Sequence, residues 1–342
     1  MTSNGDREQR DLMSFDANSL GVVLGSAMPP EQMLPAAMEA DRCGLDELWF
    51  TEDCFFTGGI SAAAAALAAT PRIQVGLGVV SAMLRHPALL SMEIATMARA
   101  FPGRVVAGIG LGVPAWLRQV GLLPRSSLGA MTECVTAIRQ LLAGERLDVA
   151  GDQFAFADVA LAHPVAGHLP ICLGVCGPRM LQLSGEIADG TILSAGAGIR
   201  YVNWARKQID GGRAMAGRAD AHRVTMFALY AVGQDRLQAR EEMREPLARF
   251  LAAGGIDAIT EAEGISDALA PMLRRGGADV VAREIPDSWI DQLSVCGTPE
   301  DCARRIGEFY AAGADSVALF PVTAGQPQDM VRVTAQQVRP LL

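Results

Sequence analysis

The stretch ADRCGLDELWFT, residues 40–51, joins the end of a helical pattern to a short apolar strand through a glycine turn. Residues 311–320, AAGADSVALF, repeat that order as helix end, Gly313, Asp315 and strand. Glycine commonly ends a helix because it adopts left-handed backbone angles without a steric penalty. The repeat near both ends of the chain indicates that one helix–strand unit recurs along it.

Apolar strand patterns alternate with helical patterns over most of the sequence, and one antiparallel excursion hairpin is predicted at 147–161. The other predicted strands are 20–24, 46–51, 73–80, 105–110, 171–175, 191–194, 224–230 and 316–320. Eight strand–helix alternations without a second class of pattern predict an α/β fold, a (β/α)₈ TIM-type barrel with insertions. A doubly wound open sheet is the alternative, and it would need a switch point in strand order.

The pattern predicts one domain. Residues 1–19 form a polar tail, and residues 20–342 form a single barrel. Residues 254–295 mix glycine, proline and charge, and helices can be placed there only loosely. Because this segment lies between predicted strands seven and eight, we expect an insertion at one mouth of the barrel.

Composition excludes several classes of protein. The net charge of −9 argues against nucleic acid or an anionic membrane as the main partner. The seven cysteines include no C-x-x-C pair, and residues 1–16 lack a signal-peptide pattern, so we expect a cytoplasmic protein. Motifs for phosphate loops, zinc proteases and serine hydrolases are absent, and the four histidines have no zinc spacing, so no metal is expected.

In a barrel of this kind the active site lies at the carboxyl ends of the strands. Strand two ends in Glu52 and Asp53, beside Phe55 and Phe56. Two carboxyl groups in this position are candidate catalytic groups that would hydrogen-bond a bound heterocycle or transfer a proton. The alternative is that one of them caps the turn that follows.

Glycines mark the ends of strands three and four. In strand three, Gly78 and Val79 predict a bulge on which a planar ligand could rest, although tight packing inside the barrel is the alternative. Strand four ends in residues 108–112, GIGLG, which is a weak match to a dinucleotide loop. Gly110 and Gly112 are predicted to contact a cofactor ring or tail. His86, at a helix start, is expected to be structural.

Strand five runs into a turn that predicts an anion site. Its sequence is Gly174-Val175-Cys176-Gly177-Pro178-Arg179, and a helical pattern begins at once. Exposed amides at a helix N-terminus together with an arginine favour a phosphate group. The alternative is an ordinary turn with proline at the first helical position.

Together these segments resemble the luciferase-like monooxygenase superfamily, and within it the branch that uses the deazaflavin coenzyme F420. The resemblance extends from residue 20 to residue 322. It is carried by the segments 44–49, 76–79, 85–87, 102–112, 177–179, 184–190 and 297–300.

The resemblance implies a barrel with the cofactor ring at its mouth and a non-proline cis peptide at Gly78–Val79. It also implies that the turn at residues 177–179 binds the cofactor phosphate. Strand two of the F420 branch commonly ends in Asp-His, where this chain has Glu52 and Asp53. The acidic residue often found after the glycines of strand four is also missing, which argues against a sugar-phosphate dehydrogenase mechanism.

The predicted function is an F420-dependent oxidoreductase that transfers a hydride between the deazaflavin and a small organic substrate. Arg179 and Arg200 would begin the groove for the polyglutamate tail of F420, and a homodimer is expected. One alternative is an FMN-dependent luciferase-like monooxygenase. Another is a flavin-binding protein without catalytic activity, because a fold does not determine a function.

Overall fold

The computed structural model describes residues 18–322 and 325–342, so residues 1–17 of the predicted tail lie outside the described residues. The strands are β1 (Ser19–Leu24), β2 (Glu47–Phe50), β3 (Gln74–Leu77), β4 (Val80–Ser81), β5 (Val105–Gly110), β6 (Leu147–Ala150), β7 (Ala155–Val159), β8 (Ile171–Gly174), β9 (Gly190–Leu193), β10 (Arg223–Val232), β11 (Val295–Gly297) and β12 (Ser316–Pro321).

The α-helices surround these strands, and a π-helical turn (Thr334–Val338) and a 3₁₀ turn (Arg339–Leu341) end the chain. The helices are α1 (Pro30–Arg42), α2 (Gly59–Ala69), α3 (Pro87–Ala100), α4 (Pro114–Gln119), α5 (Ser127–Leu142), α6 (Pro178–Ile187), α7 (Ile199–Met215), α8 (Arg236–Gly254), α9 (Ala258–Glu263), α10 (Ser266–Glu284), α11 (Asp287–Leu293), α12 (Pro299–Ala311) and α13 (Pro327–Val333).

Eight parallel strands close into a ring in the order β1-β2-β3-β5-β8-β9-β10-β12, and β12 pairs again with β1. Val22 of β1 lies opposite Leu48 of β2 on one side and Leu319 of β12 on the other. The predicted (β/α)₈ TIM-type barrel is therefore confirmed, and the open-sheet alternative is wrong because the ring has no edge. The predicted hairpin is formed by β6 and β7.

The sequence pattern did not predict two features of the fold. β11 pairs in parallel with Tyr230–Val232 at the end of β10, and its three residues are too few to show an alternation. Between β10 and β11 the chain is helical, and α10 contains a kink at Gly276 and Gly277. The helices α9, α10 and α11 occupy most of residues 254–295.

The strands of the ring are largely buried, as expected of parallel strands covered by helices, whereas β6 and β7 of the hairpin are largely exposed. Inside the barrel, the rings of Trp49 and Phe227 meet edge to face with centroids 5.5 Å apart. A Cβ atom on Gly76 would lie 2.3 Å from the Trp49 ring, so only glycine leaves space for the indole at this position.

The amino end of the barrel is closed by a buried polar cluster. Glu47 and Arg223 form an ion pair, and both side chains are almost fully buried. Trp49 Nε1 and Ser316 Oγ donate to Glu47 Oε2 at 2.8 and 2.9 Å. These charges are satisfied within the protein, so the polar groups available for chemistry must be sought at the carboxyl end.

Candidate active site

A cavity of about 470 Å³ opens at the carboxyl ends of the barrel strands. Every predicted site residue except Pro178 and Arg179 lines it; the predicted residues that do so are Glu52, Asp53, Gly78, Val79, Gly110, Gly112, Gly174, Val175, Cys176 and Gly177. Closure of the barrel brings these strand ends, which are far apart in sequence, to one place.

Glu52 is engaged by the protein itself. Its two carboxylate oxygens accept hydrogen bonds from Arg85 NH1 and NH2 at 2.6 and 2.8 Å. Oε2 also accepts the backbone N–H of Gly59, the first residue of α2, at 3.1 Å. This is the turn-capping role named above as the alternative for a strand-two carboxylate. Glu52 is held as a structural ion pair rather than left open to a ligand.

Asp53 keeps one oxygen available. Its Oδ2 accepts hydrogen bonds from Ser26 Oγ at 2.6 Å and Thr51 Oγ1 at 3.3 Å. The backbone N–H of Ser26 in turn donates to Thr51 Oγ1 at 2.7 Å. Within residues 18–322 and 325–342, Asp53 Oδ1 accepts no hydrogen bond. Two hydroxyl groups therefore fix the orientation of a carboxylate that lines the cavity.

Phe55 and Phe56, which follow these acids in the sequence, do not cover the two carboxyl groups. The Phe55 and Phe56 side chains are 69% and 61% exposed, so they face solvent. The peptide between Cys54 and Phe55 is cis, which the sequence did not predict. Cys54 lines the cavity, and burial raises the pKa of its thiol, which keeps it protonated at neutral pH.

The Gly78–Val79 peptide is cis, as the resemblance implied. A Cβ atom on Gly110 or Gly174 would lie 2.5 or 2.6 Å from the Val79 side chain, and one on Gly78 would lie 2.6 Å from the Phe227 ring. These glycines therefore make room for neighbouring side chains, which is the packing alternative stated above. The glycines line the cavity together with the Val79 and Phe227 side chains that pack on them.

Gly112 and His86 have structural roles. Gly112 has a φ of +101°, which favours glycine, and a Cβ there would also lie 2.7 Å from Ser81 Oγ. His86 Nδ1 accepts the backbone N–H of Ala88 at 3.2 Å, and its Nε2 lies 3.2 Å from the carbonyl oxygen of Ala155 in β7. The imidazole thus caps α3 and holds the hairpin, as expected.

The first turn of α6 is open, in the sense that no described side chain caps its backbone N–H groups. Gly177 is its N-cap and supplies no side chain, and a Cβ on Gly177 would have no atom within 4 Å. Pro178 has no N–H, and the amides of Arg179 and Met180 have no hydrogen-bond partner among the described residues. The Arg179 side chain is exposed and likewise has no ion pair within the described chain. This arrangement can accept an anion.

The first turn of α7 is closed, because a carboxylate of the protein already binds its backbone N–H groups. Glu263, a buried residue at the end of α9, accepts hydrogen bonds from the backbone N–H groups of Gly198 and Tyr201 at 2.9 and 2.7 Å. Gln292 Nε2 donates to its other oxygen at 2.7 Å. Arg200 NH1 donates to the Glu263 backbone carbonyl at 3.2 Å. Arg200, expected to begin the tail groove, is exposed and directs one of its N–H groups to this carbonyl.

The two helix starts are connected through Tyr201, whose hydroxyl donates to the Cys176 carbonyl at 2.8 Å. Burial raises the pKa of the Tyr201 hydroxyl, so it stays protonated and acts as a donor. Burial also raises the pKa of the Cys176 thiol. Cys176 therefore contributes backbone and bulk to the cavity wall rather than a reactive thiolate.

Several residues that line the cavity were missed by the sequence analysis. They include Trp116, Met180, Ser194, Phe227, Phe250 and Phe320. Phe227 lies inside a strand pattern and Phe250 inside a helix, so neither had a local signal that separates it from an ordinary core residue. Within the described residues, no cluster of histidine, cysteine and acidic side chains could hold a metal, and no helix is long and apolar enough to cross a membrane.

The sequence and the fold both have known relatives. The model of a family described as luciferase-like monooxygenase matches residues 11–316. A 5,10-methylenetetrahydromethanopterin reductase of Archaeoglobus fulgidus is 30% identical, covering 89% of this chain and 93% of that protein. An F420-dependent glucose-6-phosphate dehydrogenase of Microbacterium testaceum is 29% identical over 55% of this chain and 60% of its own length.

A solved structure, the coenzyme F420 dependent tetrahydromethanopterin reductase from Methanopyrus kandleri, superimposes with a TM-score of 0.84. It is 23% identical, and the match covers 95% of this chain and 99% of that chain. The likeness confirms the barrel. The resemblance recognised in the sequence is also confirmed, because the curated relatives include F420-dependent oxidoreductases.

Proposed function

Because this chain belongs to the luciferase-like monooxygenase family, we propose that it is an F420-dependent oxidoreductase. Its reaction would transfer a hydride between the deazaflavin and a small organic substrate. The proposal rests chiefly on the open first turn of α6, which lies beside a cavity lined by strand-end glycines.

The phosphate of the cofactor fits the start of α6. The amides of Arg179 and Met180 are available there, and no side chain caps the helix. Helix N-termini attract anions because their free N–H groups and the helix dipole both favour negative charge. The Arg179 guanidinium would add a charge-assisted hydrogen bond. Phosphate binding would therefore need no rearrangement of the backbone.

The ring of the cofactor fits the neighbouring strand ends. Gly78, Gly110 and Gly174 bring backbone to the cavity wall at the ends of β3, β5 and β8, where the Val79 side chain packs on Gly110 and Gly174. A flat ring can pack against this wall, because glycines let the backbone approach a ligand and Val79 presents an apolar surface. When bound there, a deazaflavin would supply or accept the hydride.

Asp53 is the group we assign to proton handling. Ser26 and Thr51 hold its Oδ2, so Oδ1 can receive or release a proton at a fixed position. Glu52 would support this arrangement indirectly, since its ion pair with Arg85 fixes the loop between β2 and α2. Of the two predicted catalytic acids, Asp53 is therefore the one we expect to contact ligand.

Equilibrium binding of F420 and FMN to the apoprotein, measured side by side, tests the proposal. We expect F420 to bind and FMN to bind weakly or not at all. Tight FMN binding without F420 affinity would replace this proposal with the FMN-dependent monooxygenase. Binding of F420 without turnover in any redox pair would favour the non-catalytic alternative.

We further propose that the protein is a homodimer in which helices on one side of the barrel pack against a second copy. α2 carries no charged side chain, and Leu89 and Met92 on the neighbouring α3 are 55% and 52% exposed. Exposed apolar patches of this kind mark protein contacts. Sedimentation should show a dimer that Met92→Glu weakens, whereas a monomeric wild-type protein would contradict the proposal.

We propose that residues 20–342 act as one barrel domain. We also propose that the protein works in the cytoplasm, which suits its free cysteines. The acidic net charge supports a small molecule, rather than nucleic acid, as its partner.

A further inference from the structure

The cavity has two unlike halves, which follow from the order of the strands in the ring. The ends of β3, β5 and β8 form one half, lined by glycine backbone and Val79. The opposite half lies at β10, β12 and β1, and its wall carries the rings of Phe227, Phe250 and Phe320. The Phe227 ring also packs on Gly78 and so borders the first half. The proposed cofactor site uses the first half, so the aromatic half remains for the substrate.

The rings of the aromatic half are held in place by packing, because each of them lies against a glycine that leaves room for it. A Cβ atom added to any of these glycines would fall within 3.0 Å of the ring that packs on it. The pairs and their distances are Gly25 with Phe320 at 2.7 Å, Gly78 with Phe227 at 2.6 Å, and Gly196 with Phe250 at 3.0 Å. The rings are thus fixed by contacts with backbone from other parts of the barrel mouth.

Among the described residues, the charged side chains that line the cavity are acidic. No lysine, arginine or histidine belongs to the cavity wall formed by the described residues. Glu52 is neutralised by its ion pair with Arg85, which leaves Asp53 as the charged side chain without a counter-ion. An anionic substrate would lose its hydration beside a carboxylate and gain no cation in return, which is strongly unfavourable.

The arginine at the start of α6 serves another group. Arg179 stands outside the cavity wall, at the start of α6, where the proposed function places the cofactor phosphate. With a cofactor bound, that arginine would be occupied. A phosphate or carboxylate group on the substrate would then meet no basic side chain among the described residues that line the cavity.

We propose that the substrate is an uncharged molecule with a flat, unsaturated group that packs against Phe227, Phe250 and Phe320, and that phosphorylated and carboxylated molecules are excluded. Aromatic rings stabilise flat apolar groups through burial and stacking. This inference rests on the proposed function, since the first half of the cavity is assigned to the cofactor.

The test compares two probes with the same ring system, 2-naphthol and 2-naphthyl phosphate, on protein loaded with F420 so that the anion site is filled. Calorimetry should show that 2-naphthol binds at least about 10-fold more tightly, the effect of an unpaired buried charge. Equal or tighter binding of the phosphate ester would overturn the inference, as would no binding of 2-naphthol.

Three variants sharpen the test, a pair at Ser194 and one at Phe320. Ser194→Lys places a cation on the cavity wall and should remove or reverse the preference, whereas Ser194→Met, of similar bulk, should keep it. Phe320→Leu should weaken 2-naphthol binding about fivefold and leave F420 affinity unchanged. Loss of F420 affinity with unchanged 2-naphthol binding would show that the two halves are wrongly assigned.

Failure of the proposed function would be recognised separately, because the protein would then not load with F420. The same two probes would next be titrated into the apoprotein in the presence of saturating inorganic phosphate, which fills the anion site. A preference for 2-naphthol would still support the uncharged substrate class, and a preference for the phosphate ester would still overturn it.

Discussion

The helices α6 and α7 both begin at the carboxyl end of the barrel, and their first turns differ in one respect. The amides of α7 are occupied by the carboxylate of Glu263, whereas those of α6 have no partner among the described residues. The two starts share an arginine at the second helical position, Arg179 in one and Arg200 in the other. A carboxylate from the protein occupies the amides of α7, so of these two helix starts α6 is the one we propose to bind an anion.

The comparison also shows why an arginine near a helix start is a weak predictor by itself. Arg200 is held against the carbonyl oxygen of Glu263, and the carboxylate beside it repels a phosphate. Arg179 forms no ion pair within residues 18–322 and 325–342, and no described carboxylate accepts a hydrogen bond from the amides of its helix start. What separates these arginines is the presence or absence of Glu263, a residue more than sixty positions from the helix it caps.

Removing the internal cap should have the largest effect. In Glu263→Ala, two buried amides of α7 lose a charged acceptor, so we expect the free energy of unfolding to fall by about 3 kcal/mol. Urea denaturation measures this loss. Glu261→Ala, at an exposed position of the same helix, is the control and should change stability by less than about 0.5 kcal/mol. Equal effects of the two variants would contradict the capping role.

Closing the open helix start should make α6 resemble α7. Gly177→Asp places a carboxylate at the N-cap, where a Cβ meets no other atom. We expect F420 affinity to fall about 100-fold, because that carboxylate competes for the same amides and repels the phosphate.

Gly177→Asn is the matched control for Gly177→Asp, since it caps the helix without adding charge. Its F420 affinity should fall by clearly less than that of the aspartate variant. If fluorescence titration shows wild-type affinity for Gly177→Asp, the phosphate binds elsewhere and the anion site at α6 is wrong.

Replacing each arginine by alanine should show that Arg179 and Arg200 differ in their contribution to F420 affinity. Arg179→Ala is expected to weaken F420 binding by about 10- to 100-fold, the scale of a charge-assisted hydrogen bond of about 1.5–3 kcal/mol. Arg200→Ala should leave F420 affinity within about twofold, because its partner is Glu263. Both affinities come from the same titration, and a larger loss in Arg200→Ala would reverse the assignment of the two helices.

The smallest expected effect is stabilisation by inorganic phosphate alone. At about five times its dissociation constant, phosphate should raise the free energy of unfolding of the wild-type protein by about 1 kcal/mol. The rise in Tm should be absent in Gly177→Asp and in sodium chloride of equal ionic strength. An equal rise in Gly177→Asp would mean that phosphate acts on another part of the protein.

Local sequence patterns were sufficient to predict the barrel and to locate its mouth at the carboxyl ends of the strands. Eight apolar strands separated by helical stripes, with Gly44 and Gly313 in matching turns, were visible in the sequence because backbone angles and burial periodicity act over a few residues. The Gly-Pro-Arg turn was visible for the same reason. The cis peptide at Gly78–Val79 came from the family resemblance rather than from periodicity.

Other assignments needed the folded chain. Glu52 and Asp53 are adjacent in sequence and look equivalent, yet Arg85 binds the first and Ser26 orients the second, from 33 and 27 residues away. The glycines of the strand ends likewise gave no sign of the rings and side chains that pack on them.

The sequence by itself therefore determined the barrel, its active end and an uncapped helix turn, since these depend on neighbours along the chain. Only the tertiary structure decided which carboxylate is free, which helix start is open, and that three phenylalanines form the wall opposite the glycines. The physical reason is that hydrogen bonding, charge compensation and packing depend on distance in space, and the closed barrel brings together residues that the sequence keeps far apart.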